Sequence, residues 1–201
     1  HRGYEFGSGV AKGGKKLADI SHVPGYWPDH ETVRNDLLDY AFEVEHFDNH
    51  LGRMLQTLQQ RGLLENTLDL VTSDHGMPFP RVKGHNYDAA NRIPLVVSGP
   101  KGVVTPGVRV ADFVSLIDLA PTLLELSGVD GGKAGMAPVS GSSFTDLLRG
   151  KAARERPFVI TGRERNDAYA RPGTEAGLGY PVRAIREGDF LYIHNFAPDR
   201  W

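Results

Sequence analysis

No cysteine occurs among the 201 residues, which excludes disulfides, thiolate metal ligands and a cysteine nucleophile within this chain. No charge of one sign dominates: 23 Lys and Arg face 25 Asp and Glu, for a net charge of -2. With neither a basic stripe nor a basic tail, nucleic acid and acidic membrane surfaces are not the expected partners. Long hydrophobic runs are lacking too, so no membrane-crossing helix is expected. The opening His1-Arg2-Gly3-Tyr4 shows no initiator Met, basic leader or apolar targeting segment. The far end, Phe196 to Trp201, stops without a helix terminus or polar tail. Together these features predict an internal fragment of a longer chain. What is present, an apolar share of 40%, is that of an ordinary globular domain or a piece of one.

Residues 1–28 show no sustained period and read as irregular surface chain. Asp29 is placed to cap a helix with Glu31 in its first turn. Val33, Leu37, Ala41, Val44, Phe47, Leu51, Met54 or Leu55, and Leu58 then recur in steps of three or four, ending at Gly62. Thr67–Ser73 and Ile93–Ser98 read as strands, and 112–127 as helix, with Pro121 placed to restart it at a first-turn position and Gly128 closing it. This is the order of an α/β layered sheet. The segment 127–143 reads as loop and 144–149 as a short helix. Pro157–Thr161 is a strand candidate. Val182–Arg186 and Phe190–His194 form a hairpin around Glu187-Gly188-Asp189, a small antiparallel piece. The expected division is 1–150 for the α/β part and 151–201 for the antiparallel part.

Ser73-Asp74-His75-Gly76 directly follows a strand, and ligands in α/β sheets gather at such carboxyl ends. A carboxylate beside an imidazole can grip a divalent cation there. The tetrapeptide also fits a plain strand-ending turn in which Asp74 bonds nearby backbone. The stretch Met77-Pro78-Phe79-Pro80-Arg81-Val82-Lys83-Gly84 then delivers an ammonium on a proline-stiffened loop. A metal carboxylate and a lysine on adjacent loops suit an anionic tetrahedral group. Taken alone, Lys83 also fits a solvated surface lysine.

Thr72-Ser73-Asp74-His75-Gly76, with Lys83 and Tyr87…Arg92-Ile93-Pro94 downstream, resembles the sulfatases of the alkaline-phosphatase superfamily. The likeness includes Phe47–Thr67, the Asp118-Leu119-Ala120-Pro121-Thr122 helix and residues 157–201. Within the family, Pro78-Phe79-Pro80, Tyr180–Arg183 and His194-Asn195-Phe196 are similar to the heparan N-sulfatase branch. The resemblance implies that Asp74 and His75 complete a calcium site, and that Lys83 contacts the sulfate. It implies the same for His1, if His1-Arg2 ends a Pro-His-Arg segment; a ragged terminal residue is the other reading. Arg163 and Glu164, followed by Arg165, are implied to meet a sulfated sugar, although Asn166 stands where this branch commonly has His. Arg183 is an expected substrate-rim residue, read with Arg186 as lying on one strand face; a surface charge cluster and solvent-facing hairpin residues are the alternatives. Glycosaminoglycan degradation, in a periplasmic, extracellular or lysosomal-type setting, is what the family implies.

The family's nucleophile is a formylglycine made from Cys or Ser in a C/S-x-P-x-R motif, and this chain has no such motif. The expectation is therefore that the nucleophile and half of the metal ligands lie in a missing N-terminal half of the same protein. An alternative is a phosphonate or phosphodiester hydrolase of the superfamily, in which an Asp-His pair often holds manganese. A non-catalytic carbohydrate-binding fragment is the rival from another class. His46 and His50, four apart on the long helix, have a spacing that can bind zinc, but with no evident third ligand they read as a solvated face.

Overall fold

The computed structural model describes residues 5–151, 156–164 and 181–200. The chain divides into two compact units, His1–Glu65 and Asn66–Trp201. None of the helices among the described residues is long and apolar enough to cross a membrane.

The first unit holds α1 (Ser8–Ala11) and α2 (Glu31–Gln60). Residues 5–28 are irregular, as expected, apart from α1 and a single 3-10 turn at Leu17–Asp19, with Gly9 and Val23 buried. Asp39, buried in the middle of α2, accepts from the Gly7 and Gly9 amides at 2.8 and 2.6 Å. A carboxylate thirty positions away therefore satisfies amides at the start of α1, a signal no local pattern carries. Gly9 lies against α2 so closely that a Cβ there would sit 2.4 Å from the Leu38 carbonyl oxygen. The α2 start also differs from expectation. His30 caps it, its ring accepting from Thr32 N at 3.2 Å. Asp29 is instead engaged by Arg34 at 2.6 and 2.8 Å, and this bond holds its carboxyl below the usual carboxylate range. The buried apolar residue of α2 is Leu38, which lies outside the predicted stripe; within the stripe Val33 and Leu37 are half-buried, whereas Val44, Phe47 and Met54 are exposed.

The second unit opens with β1 (Asp69–Thr72), followed by α3 (Asp88–Asn91) and β2 (Leu95–Ser98). β1 and β2 pair antiparallel, Asp69 opposite Ser98 and Thr72 opposite Leu95. β1 is half-buried along its length. α4 spans Leu119–Ser127 and α5 Thr145–Leu148. α4 begins later than the pattern from residue 112 predicts, because Ser115 and Asp118 close a tighter turn first. Asp118 is fully buried, accepting from the Ser115 and Ser142 amides and pairing bidentately with Arg156 at 2.6 and 2.9 Å.

A second sheet comprises β3 (Phe158–Arg163), β4 (Val182–Glu187) and β5 (Phe190–Asn195), antiparallel in that order. Glu187 pairs with Phe190, so the turn has two residues rather than the three expected, with Gly188 at a φ of 49°. Arg183 and Arg186 are three apart on β4 and therefore point to opposite faces, correcting the one-face reading.

Candidate active site

At the end of β1 the chain is fastened before it reaches the candidate residues. Thr72 donates its hydroxyl to the Pro94 carbonyl at 2.8 Å, and Ser73 donates to the His75 carbonyl at 3.0 Å. The Gly76 amide then reaches the Ala90 carbonyl at 2.9 Å. Gly76 is needed for that approach: a Cβ would lie 2.1 Å from Ala89 O and 2.8 Å from Val82 Cγ1. Gly76→Ala is expected to cost about 1–3 kcal/mol, the usual penalty of forced overpacking. Urea unfolding reads it directly, and an unchanged midpoint would show that this approach is not constrained.

Asp74 and His75 converge, with His75 Nε2 3.4 Å from Asp74 Oδ2. His75 Nδ1 lies 2.7 Å from the Gly76 carbonyl oxygen, which can only accept, so this nitrogen carries a proton. In a neutral ring Nε2 then presents its lone pair toward the carboxylate. Two electron-pair donors face each other and call for a proton or a metal cation between them. Backbone fixation of the remote ring nitrogen is also how metal-binding histidines are commonly oriented. The pair therefore fits a cation as two ligands of a larger set. Among the described residues no group of three or more such side chains could hold a metal ion.

The loop beyond is compact. Val82 is fully buried, and its amide bonds the Phe79 carbonyl at 3.1 Å. Arg81 adopts a φ of 66°, a left-handed conformation that costs a non-glycine residue about 1–2 kcal/mol. Beyond this bend Lys83 is exposed, with no ion pair among the described residues. Arg163, at the end of β3, donates to the Gly84 carbonyl beside it. Arg186 Nε reaches Asp88 Oδ1 at 3.0 Å. The three-stranded sheet thus grips the chain at two points just after Lys83, at Gly84 and Asp88. Glu164 and Arg183 pair with each other, the guanidinium donating to the carboxylate.

The structure therefore brings Asp74 and His75 together and brings Arg163 to the turn that carries Lys83. His1 and Arg165 lie outside the described residues. Sequence reasoning missed Asp88 as the partner of Arg186 and the stacked His85 and Tyr87 rings, 5.8 Å apart at 28°. The alternation of β4 was the available signal for Arg186, since it places that side chain opposite Arg183.

The family model described as Sulfatase matches residues 9–129. This chain belongs to the sulfatase family. It is 30% identical to an ulvan-active sulfatase of Formosa agariphila over 179 residues, covering 89% of this chain and 27% of the relative. It is 29% identical to the human N-sulphoglucosamine sulphohydrolase over 173 residues, covering 86% of this chain and 34% of the relative. The chain thus spans about a third or less of the length of these relatives. Its fold is similar to that of BT4656, solved in complex with its substrate D-glucosamine-2-N,6-O-disulfate. That match has a TM-score of 0.62 and 24% identity, covering 85% of this chain and 34% of the other.

Proposed function

We propose that this chain supplies part of the active site of a hydrolase that releases sulfate from a sulfated amino sugar, by cleaving a sulfuric ester or a sulfamate. The observation that carries the reading is the Asp74–His75 pair at the end of β1, fixed in the same loop system as Lys83 in a sulfatase-family chain. The amino-sugar substrate is supported by the resemblance of Pro78-Phe79-Pro80 and His194-Asn195-Phe196 to the heparan N-sulfatase branch. The names of the human relative and of the glucosamine-disulfate complex support it as well.

Asp74 and His75 would hold a divalent cation, calcium by family resemblance or manganese by the chemistry of the ring nitrogen. When bound, such an ion polarises a sulfate oxygen. Lys83 neutralises charge on another sulfate oxygen, with His1 a second candidate for that role. Arg163 acts on the site through the Gly84 carbonyl, which keeps the Lys83 turn in place. The Glu164–Arg183 pair offers a carboxylate and a guanidinium to saccharide hydroxyls or a further sulfate. Residues 1–150 would belong to the catalytic α/β domain and 151–201 to a small antiparallel subdomain. The formylglycine would come from a C/S-x-P-x-R segment of the longer protein.

Two measurements test this. The 201-residue chain alone should release no sulfate from an aryl sulfate, since it carries no formylglycine precursor. The longer protein should cleave an N- or O-sulfated glucosamine, and Asp74→Asn should lower both turnover and bound metal. Turnover by the isolated chain, or an Asp74→Asn enzyme with normal activity and metal content, would overturn the assignment.

A further inference from the structure

We infer that His46 and His50 form a two-histidine site for a divalent transition-metal ion of the nickel or copper type, on α2 of the first unit. The two residues lie one turn apart on a thirty-residue helix. Their Nε2 atoms are 3.0 Å apart, and the rings meet edge to face with centroids 4.6 Å apart. That separation is a hydrogen bond between the rings, and it is also the spacing of two nitrogens bound to one ion. With metal–nitrogen bonds of about 2.0–2.1 Å, it subtends roughly 94° at a metal placed between the rings. Such an angle suits adjacent positions of a square or octahedral ion better than the wider tetrahedral angle of zinc.

Arg53 Nη2 lies 2.7 Å from His50 Nδ1 and 3.1 Å from its Nε2, so a positive charge sits against the ring at both nitrogens. At 3.0 Å the two Nε2 atoms share a hydrogen bond, and one proton occupies the gap between them. A metal ion takes its place once that proton moves to Nδ1 of the same ring and Arg53 swings away. No proton is lost overall, and each imidazole contributes one lone pair. Arg53 therefore opposes the cation. Glu43, exposed three positions before His46, puts a carboxylate one turn away on the same face. Water would fill the other coordination positions, consistent with the lack of any three-ligand group among the described residues.

The test is calorimetric titration of the untagged full chain with nickel chloride, compared with three single variants and one double. The chain has eight histidines, so the informative quantity is the difference between variants. His46→Gln and His50→Gln should each weaken the strongest binding at least about tenfold, the equivalent of 1.4 kcal/mol. The double variant should be no weaker than either single, because a chelate is lost with its first ligand. Arg53→Gln should bind several-fold tighter. All three positions are on the helix surface, and unchanged circular dichroism confirms that the helix persists. The inference is overturned if wild type binds no nickel, or if the single histidine variants match wild type. Independent, additive losses would overturn it, as would an Arg53→Gln variant that binds no tighter.

Discussion

Asp118→Ala is expected to lower the unfolding free energy by about 3–5 kcal/mol, the range for breaking a buried ion pair from one side. Asp118 has no exposed surface, and it answers four donors at once. Two come from Arg156, the others from the Ser115 and Ser142 amides. The carboxylate therefore ties the turn before α4 to the loop before α5 and to the segment leading into β3. Removing it leaves the Arg156 guanidinium, itself only one-fifth exposed, without its counter-charge. For a domain whose net stability is about 5–15 kcal/mol, such a loss approaches unfolding. A second variant separates the charge effect from the backbone effect. Adding Arg156→Met to Asp118→Ala should recover part of the loss, since the orphaned cation is gone. The two amides would still lack a partner, at about 1–3 kcal/mol each where they are buried. Urea denaturation of both variants settles the matter. A loss under about 1 kcal/mol in the single variant would mean the pair is as weak as an exposed one.

The same contrast between near and distant partners explains which features the sequence reveals. α2 was legible because its apolar residues recur at one period over thirty positions, and the hairpin because two alternating runs flank a glycine turn. α1 was not, since its amides are answered by Asp39 from another helix. Helix capping was misread by one residue because Asp29 had a stronger offer from Arg34. In the candidate site, Asp74 and His75 are adjacent in sequence, so their convergence needs only a strand end and a turn. The Arg163–Gly84 and Arg186–Asp88 contacts close over 79 and 98 positions. No periodicity or local motif reports such closures. They matter because they convert Arg163 from an expected sugar-binding residue into one that also holds the lysine loop.

In the longer protein, Lys83→Ala is expected to reduce kcat by roughly 10²–10³, or about 3 kcal/mol, as loss of one oxyanion donor does. Lys83 follows the prolines Pro78 and Pro80 and the fully buried Val82, and its neighbour Gly84 is gripped by Arg163. The backbone beneath the ammonium is therefore already ordered, so little entropy is lost when the side chain settles on an anion. Lys83 is exposed and has no ion pair among the described residues. Under the proposed function a sulfate lies between the ammonium and a cation held by Asp74 and His75, so the group Lys83 would serve is a sulfate oxygen rather than the metal. An ammonium has no lone pair to give, so metal content should be unchanged in the variant. Lys83→Arg should retain part of the activity by supplying the charge in a different shape. The decisive experiment measures turnover and bound metal on the same preparation. Near-normal turnover in Lys83→Ala would make this a solvated surface lysine. Lost metal with lost turnover would mean that the loop, rather than the charge, is what the site requires.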